Sequence, residues 1–281
     1  MNNENNVKER LNLTGKNVVI TGGAGFLGMH FAKGIAEMGG IPILIDLEND
    51  SVIKPSLCLK EKGFDTFSYA LDITSADKVT EVFDVIIHKH KHLDCLINAA
   101  AFAMKNLKDG GKNFFAPYEK YELENWQKSI DVNLTGTFLI TQTVGKLMKK
   151  AKKGSIINIA SDVAIISPDH RIYMQDASID YDGVDFNTPA AYSVSKAGIL
   201  SLTRYLATYW SQDGIRVNSI SPAGVYRDHD PKFVEQLTYR IPLGRMAFAE
   251  EYKGPIVFLA SDASSFMTGA NLIVDGGRTA W

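Results

Sequence analysis

The feature that most limits what this chain can fold into is a repeated alternation. Short, wholly apolar runs end at a polar or glycine residue, and longer stretches with helical periodicity separate them. The runs cover 17–20, 41–45, 66–71, 93–97, 155–159, 215–220 and 271–274. Helical patterns fit 26–38, 76–92, 123–150 and 190–212. An apolar run without polar alternation marks a strand covered on both faces. In a chain that alternates strands and helices, this means a parallel sheet between helix layers. The reading is a doubly wound α/β fold with about seven strands. Residues 12–281 read as one domain, with a polar tail, 1–11, expected to be flexible. No linker or repeat marks a second unit.

Size and charge narrow the function. A chain of 281 residues, 45% hydrophobic, can bury a large core. A net charge of −2 gives no general attraction to nucleic acid or to acidic membranes. No apolar stretch is long enough to span a bilayer, and the first ten residues lack the apolar segment of a secretion signal. The expected location is the cytoplasm. Cys58 and Cys95 lie far apart, and Cys95 sits in an apolar run as a small buried hydrophobe. They suggest neither a disulfide framework nor a metal site. The six histidines form no ligand cluster, so no metal is expected. His88, His90 and His92 fall near a helix end, where cationic side chains suit the helix dipole.

Thr21-Gly22-Gly23-Ala24-Gly25-Phe26-Leu27-Gly28 contains a G-x-G-x-x-G between a strand and a helix. Glycines let the backbone turn sharply and approach a pyrophosphate, and the free N–H groups of the next helix hold its charge. A glycine-rich turn can also be purely structural. Here Asp46 ends the following strand, 18 residues after Gly28. A carboxylate there accepts hydrogen bonds from the adenosine ribose and repels a 2′-phosphate. Neither the turn nor Leu47-Glu48 supplies a lysine or arginine for that phosphate. NAD is therefore favoured over NADP. Farther on, Tyr192 and Lys196 lie one turn apart on a helix face. An ammonium beside a phenol favours the phenolate, which would make Tyr192 a usable acid or base near neutral pH.

In this order the motifs resemble the short-chain dehydrogenase/reductase family, in its smaller single-domain branch with a Rossmann-type fold. The resemblance runs from about Asn12 to the C-terminus. It rests on Thr21-Gly22 with the glycine turn, Asp72, Asn98-Ala99-Ala100, Asn133, Ser161, Tyr192 with Lys196, Arg216-Val217-Asn218 before Ser221-Pro222-Ala223-Gly224, and Leu272-Ile273-Val274-Asp275-Gly276-Gly277. The resemblance implies that Tyr192 is the general acid/base and that Ser161 hydrogen-bonds the substrate oxygen. It implies that Lys196 binds the nicotinamide ribose and lowers the tyrosine pKa. Asn133 would hold a water that links Lys196 to solvent; an asparagine inside a helix can also satisfy backbone groups. The cofactor would also meet Asp72 and Ile73 on the adenine side, Asn98, Ala99 and Ala100 at the central strand, and Pro222, Gly224 and Val225 near the nicotinamide. Asp72 could instead cap a helix, and Asn98 could be wholly structural.

Three departures stand out. Phe26 occupies a position where the smaller branch normally has glycine; the spacing is that of the larger sugar-nucleotide branch. The family threonine that follows Pro-Gly is not evident in Val225-Tyr226-Arg227-Asp228. Ser161 and Tyr192 are 31 residues apart (192 − 161), more than twice the usual gap. The insertion, 162–189, carries His170, Arg171, Tyr173, Asp176, Asp180, Tyr181, Asp182 and Asp185. It reads equally as a substrate lid, a solvated flap or an oligomer contact. The family's usual lid, 225–245, contains Tyr226, Arg227, His229, Lys232, Tyr239 and Arg240. Such polar surroundings point to a small polar, sugar-like substrate. The helices at 123–150 and 190–212 match those that pair across subunits in the family, which implies a homodimer or homotetramer. Two other readings remain: a nucleotide-sugar epimerase or dehydratase that retains NAD, and a non-catalytic NAD-binding sensor or scaffold.

Overall fold

Each apolar run becomes a strand. The computed structural model describes residues 6–102, 113–174 and 187–281. The strands are β1 (Asn17–Thr21), β2 (Ile41–Asp46), β3 (Phe67–Ala70), β4 (Cys95–Asn98), β5 (Gly154–Ile159), β6 (Ile215–Pro222) and β7 (Asn271–Val274). They form one parallel sheet in the order β3-β2-β1-β4-β5-β6-β7. The order reverses between β1 and β4, and a crevice opens at the C-terminal ends of the strands beside such a reversal. Register brings Thr21 level with Asn98, and Asn98 level with Asn158. The polar ends of three strands therefore lie side by side.

The helices are α1 (Val7–Leu11), α2 (Phe26–Glu37), α3 (Asn49–Glu61), α4 (Ala76–His90), α5 (Leu123–Ile130), α6 (Thr137–Ala151), α7 (Arg171–Met174), α8 (Ala190–Tyr209), α9 (Pro231–Thr238) and α10 (Lys253–Ala260). Successive strand residues point to opposite faces, so the wholly apolar strands feed two cores. Val18 and Ile20 pack with Phe31 and Ile35 of α2 and Ile256 and Leu259 of α10. Val19 packs on the other face with Phe83 of α4, Val144 of α6 and Leu206 of α8. A third, smaller cluster joins Ile172 of α7 to Leu237 of α9, Ile241 and Met246, with Tyr173 and Phe233 against them.

Three expectations change. The tail expected to be flexible contains α1, closed by a capping box between Asn6 and Glu9 and anchored by Arg10 on Ser265 (3.1 Å). The helix expected over 123–150 is α5 and α6 joined by a π-helical segment, Asp131–Gly136. The expected alternation also left out α3, α9 and α10. Asp176, Asp180, Tyr181, Asp182 and Asp185 of the insertion lie outside the described residues. No helix among the described residues is long and apolar enough to cross a membrane.

Candidate active site

The glycine turn folds back tightly on itself. Gly22 has φ +65°, and a Cβ there would lie 2.7 Å from the Ala100 Cα; a Cβ on Gly28 would lie 2.1 Å from the Gly22 carbonyl oxygen. Neither position admits a side chain. The Thr21 hydroxyl accepts the N–H groups of Ala99 and Ala100, each at 3.2 Å, and so ties the turn to the end of β4. Gly25 is the N-cap of α2 and supplies no side-chain cap, so the helix presents free N–H groups. Asp46 docks onto the turn: its carboxylate accepts Ala24 N–H at 3.0 Å and Leu47 N–H at 2.9 Å. This cradle fits a dinucleotide, with bare N–H groups for the pyrophosphate and a carboxylate at the ribose position. Phe26 does not fill it. The ring turns outward, 37% exposed, with the Arg227 guanidinium 5.1 Å from its centroid. Leu27 turns inward onto the core, and Gly23 is buried.

Asp72 holds the turn between β3 and α4. The Asp72 carboxylate accepts both the N–H (2.9 Å) and the hydroxyl (2.7 Å) of Thr74, which hold it below the ordinary carboxylate range. This closes the turn into α4, and Ile73 is buried behind it. Asn98 braces the sheet. Its amide donates to Thr141 (2.9 Å) and Asn158 (2.8 Å), and Asn158 donates in turn to Thr203 (2.9 Å). Four polar side chains thus link α6, β4, β5 and α8 through the buried centre.

Asn133 lies in the π segment, which inserts an extra residue into the helical path and aims the side chain inward. It accepts Phe102 N–H at 2.6 Å and donates to Ser195 at 3.1 Å and to Phe102 O at 3.4 Å. Those bonds commit the amide. It braces the chain beyond β4 against α8.

Ser161 lies just beyond β5, close enough to Tyr192 to act on the charge of its phenol. Ser155, by contrast, is near the start of that strand and donates to Leu259 O. Lys196 is buried on the same side of α8 as Tyr192, with its Nζ 5.8 Å from the tyrosine ring centroid. Ser161, Tyr192 and Lys196 therefore converge as expected, but the electrostatics differ. Lys196 donates to Ile159 O at 2.7 Å, and burial pushes its pKa down to about 8. The phenol of Tyr192 is pushed up by burial rather than down; the neighbouring Ser161 opposes this and the nearby Asp162 adds to it. Desolvation outweighs the attraction expected from the lysine.

Two residues of this site were not anticipated. Asp162, only 3% exposed, accepts the Ser161 hydroxyl proton at 2.9 Å and Val163 N–H at 2.8 Å. Its other oxygen binds Arg278 Nη1 at 2.7 Å, and Arg278 is 9% exposed. An acid directly after Ser161 and an arginine directly after Asp275-Gly276-Gly277 were the available signals. Above the strand ends, Gly224 lies under α9, where a Cβ would meet Leu237 at 2.8 Å. Just beyond the end of β6, Val225 bridges Ala247, so the segment from 225 to 247 forms a flap joined at its base. The described part of the insertion docks on that flap. Asp169 binds both Arg171 (2.8 Å) and Arg240 (2.6 Å), and Tyr173 stacks on Phe233 with centroids 5.9 Å apart.

Known proteins resemble this chain along nearly its whole length. A family model described as enoyl-(acyl carrier protein) reductase matches residues 22–279. D-threitol dehydrogenase of Mycolicibacterium smegmatis is 31% identical over 272 residues, covering 95% of this chain and 94% of that protein. NAD-dependent glycerol dehydrogenase of Listeria innocua is 31% identical over 278 residues, covering 95% of each. A gluconate 5-dehydrogenase from Burkholderia cenocepacia, solved with NADP and tartrate, superposes with a TM-score of 0.85 at 26% identity; the match covers 98% of this chain and 100% of that one. Matches along nearly the whole chain, on a sheet that brings together a glycine turn, a serine, a tyrosine and a lysine, make this protein a member of the short-chain dehydrogenase/reductase family of oxidoreductases.

Proposed function

We propose that this protein is an NAD-dependent dehydrogenase that interconverts a secondary alcohol and a ketone on a small polyol or sugar-like substrate. The observation that carries this reading is the convergence of Ser161, Tyr192 and Lys196 beside the Asp46-bearing glycine turn. Bound NAD would accept or return hydride at the substrate carbon. Tyr192 takes the substrate hydroxyl proton during oxidation and gives it back during reduction. Ser161 holds the substrate oxygen, and Lys196 holds the ribose next to the nicotinamide. Asp46 favours NAD, because a 2′-phosphate there would meet a carboxylate. The cofactors of relatives are mixed: the Listeria protein is named as NAD-dependent, while the Burkholderia structure holds NADP. The polar substrate class follows from the polyols in the names of two relatives and from the charged insertion and flap. We place the protein in the cytoplasm as a homodimer or homotetramer.

The test is NADH formation by the purified protein with NAD and D-threitol, glycerol, galactitol, xylitol or gluconate. Tyr192→Phe should lose about 100-fold or more of the turnover while its NADH affinity stays unchanged. Full turnover in that variant would remove Tyr192 from the chemistry. Silence from the whole set with NAD binding intact would favour the retained-cofactor epimerase or the sensor.

A further inference from the structure

We propose that Arg227 is a cofactor-binding residue: seated on the ring of Phe26 at the start of α2, its guanidinium supplies the positive charge that the glycine turn lacks for the pyrophosphate of a dinucleotide. This rests on the glycine turn being the dinucleotide cradle of the proposed function.

The two residues are 201 positions apart (227 − 26), and each marks a departure from the family pattern. Phe26 stands where the smaller branch has glycine, and Arg227 lies in the stretch that lacks the family threonine. In the fold the two departures meet, with the guanidinium carbon 5.1 Å from the ring centroid. Phe26 is the first residue of α2, directly after the uncapped Gly25, so the ring stands beside the free N–H groups of that helix. His30, one turn on, packs edge-on against the same ring at 5.5 Å. The segment 21–28 offers N–H groups but contains no lysine or arginine. A pyrophosphate carries negative charge on both phosphates, and the planar fork of an arginine matches phosphate oxygens.

The flap holds Arg227 in place from both sides. Before it, Tyr226 N–H donates to Ala247 O at 2.8 Å. After it, Asp230 caps α9 by accepting Lys232 N–H at 2.8 Å and Phe233 N–H at 3.3 Å. Between these anchors Arg227 N–H donates to His229 Nδ1 at 3.1 Å, and Asp228 takes φ +45°, a left-handed conformation that costs a residue with a side chain. Burial, and then Arg227, hold His229 below its ordinary pKa, which suits a neutral ring accepting at Nδ1. The guanidinium charge is left unmatched. Among the described residues no carboxylate pairs with it, whereas Arg171 and Arg240 share Asp169, Arg245 binds Glu251, and Arg278 binds Asp162. A cation resting on an aromatic face keeps its donors free for an incoming anion. Both nicotinamide cofactors carry the pyrophosphate, so Arg227 adds affinity without choosing between them.

The experiment is a calorimetric titration of the cofactor-free full chain with NADH and with ADP-ribose, which keeps both phosphates but lacks the nicotinamide. Arg227→Gln should raise both Kd values about tenfold and by the same factor. Its melting temperature should stay unchanged, because the side chain is exposed. Arg227→Lys should recover part of the loss. Phe26→Leu should raise both Kd values several-fold in the wild type and add nothing in the Arg227→Gln background, because the ring acts through that arginine. Unchanged Kd values in Arg227→Gln would overturn the proposal. So would an unchanged ADP-ribose affinity with a raised substrate KM, which would assign Arg227 to the substrate. Equal weakening by Phe26→Leu in both backgrounds would overturn the seating of Arg227 on the ring. A wild type that binds neither probe would sink the cradle reading itself. A wild type that binds both, with Arg227→Gln binding them equally well, would sink only the role of Arg227.

Discussion

Lys196 keeps its ammonium where the fold is least suited to hold it. Its pKa falls from the ordinary 10.5 to about 8, so between those values the unfolded chain binds more protons than the folded one. Stability should then rise with pH across that window, by about 3 kcal/mol in total. The penalty is full below pH 8 and gone above 10.5. Lys196→Met removes it, so the stability of the wild type relative to that variant should climb across the same window in denaturant melts of the cofactor-free protein. A flat difference would mean that Lys196 is not buried as a cation. Asp46 supports a second expectation. With its carboxylate docked on the turn, Asp46→Ala should raise relative use of NADP about tenfold or more, read as the ratio of kcat/KM values for the two cofactors. These residues were legible because each ends a strand or lies one helical turn from its partner. The reversed direction of the Tyr192 shift was not legible, because burial is set by what packs around the ring. Asp162 and Arg278 were also hidden: they are 116 positions apart and meet only when β5, β6 and β7 align.

At the scale of elements, the sheet was readable and the site's roof was not. A strand buried on both faces announces itself by its apolar run. By contrast, α3 carries Pro55 in its interior and little apolar periodicity, and α9 has a single fully buried residue, Leu237. The π segment was invisible because its residues are helix-compatible; only its hydrogen bonds differ. The docking of α7 on α9 changes how the insertion is understood, since its described part belongs to the flap above the site. Phe233→Ala should release that contact by removing the ring on which Tyr173 stacks. The expected result is a several-fold rise in substrate KM with little change in kcat, and a melting temperature lowered by only a few degrees, since the cluster is separate from the two main cores. A large loss of melting temperature with unchanged KM would assign the contact to stability instead.

For the whole molecule, α8 divides its apolar residues between two tasks. Ile199 and Leu206 fill the core, with Trp210 just beyond the helix, whereas Tyr205 and Tyr209 stand 63% and 60% exposed, stacked on each other at 5.9 Å. Replacing both with glutamate should leave the monomer fold intact and shift the molar mass in light scattering to that of one chain. An unchanged mass would place the subunit contact elsewhere. The strand reversal between β1 and β4 has a consequence of another kind. The dinucleotide cradle belongs to β1, α2 and β2, whereas Ser161, Asp162, Tyr192, Lys196 and Arg278 all follow β4 in the chain. A seam in the gene near β4 therefore divides the choice of cofactor from the reaction. Recombination there between two members of the family could pass on one trait without the other, so a lineage could exchange its redox currency while keeping its substrate.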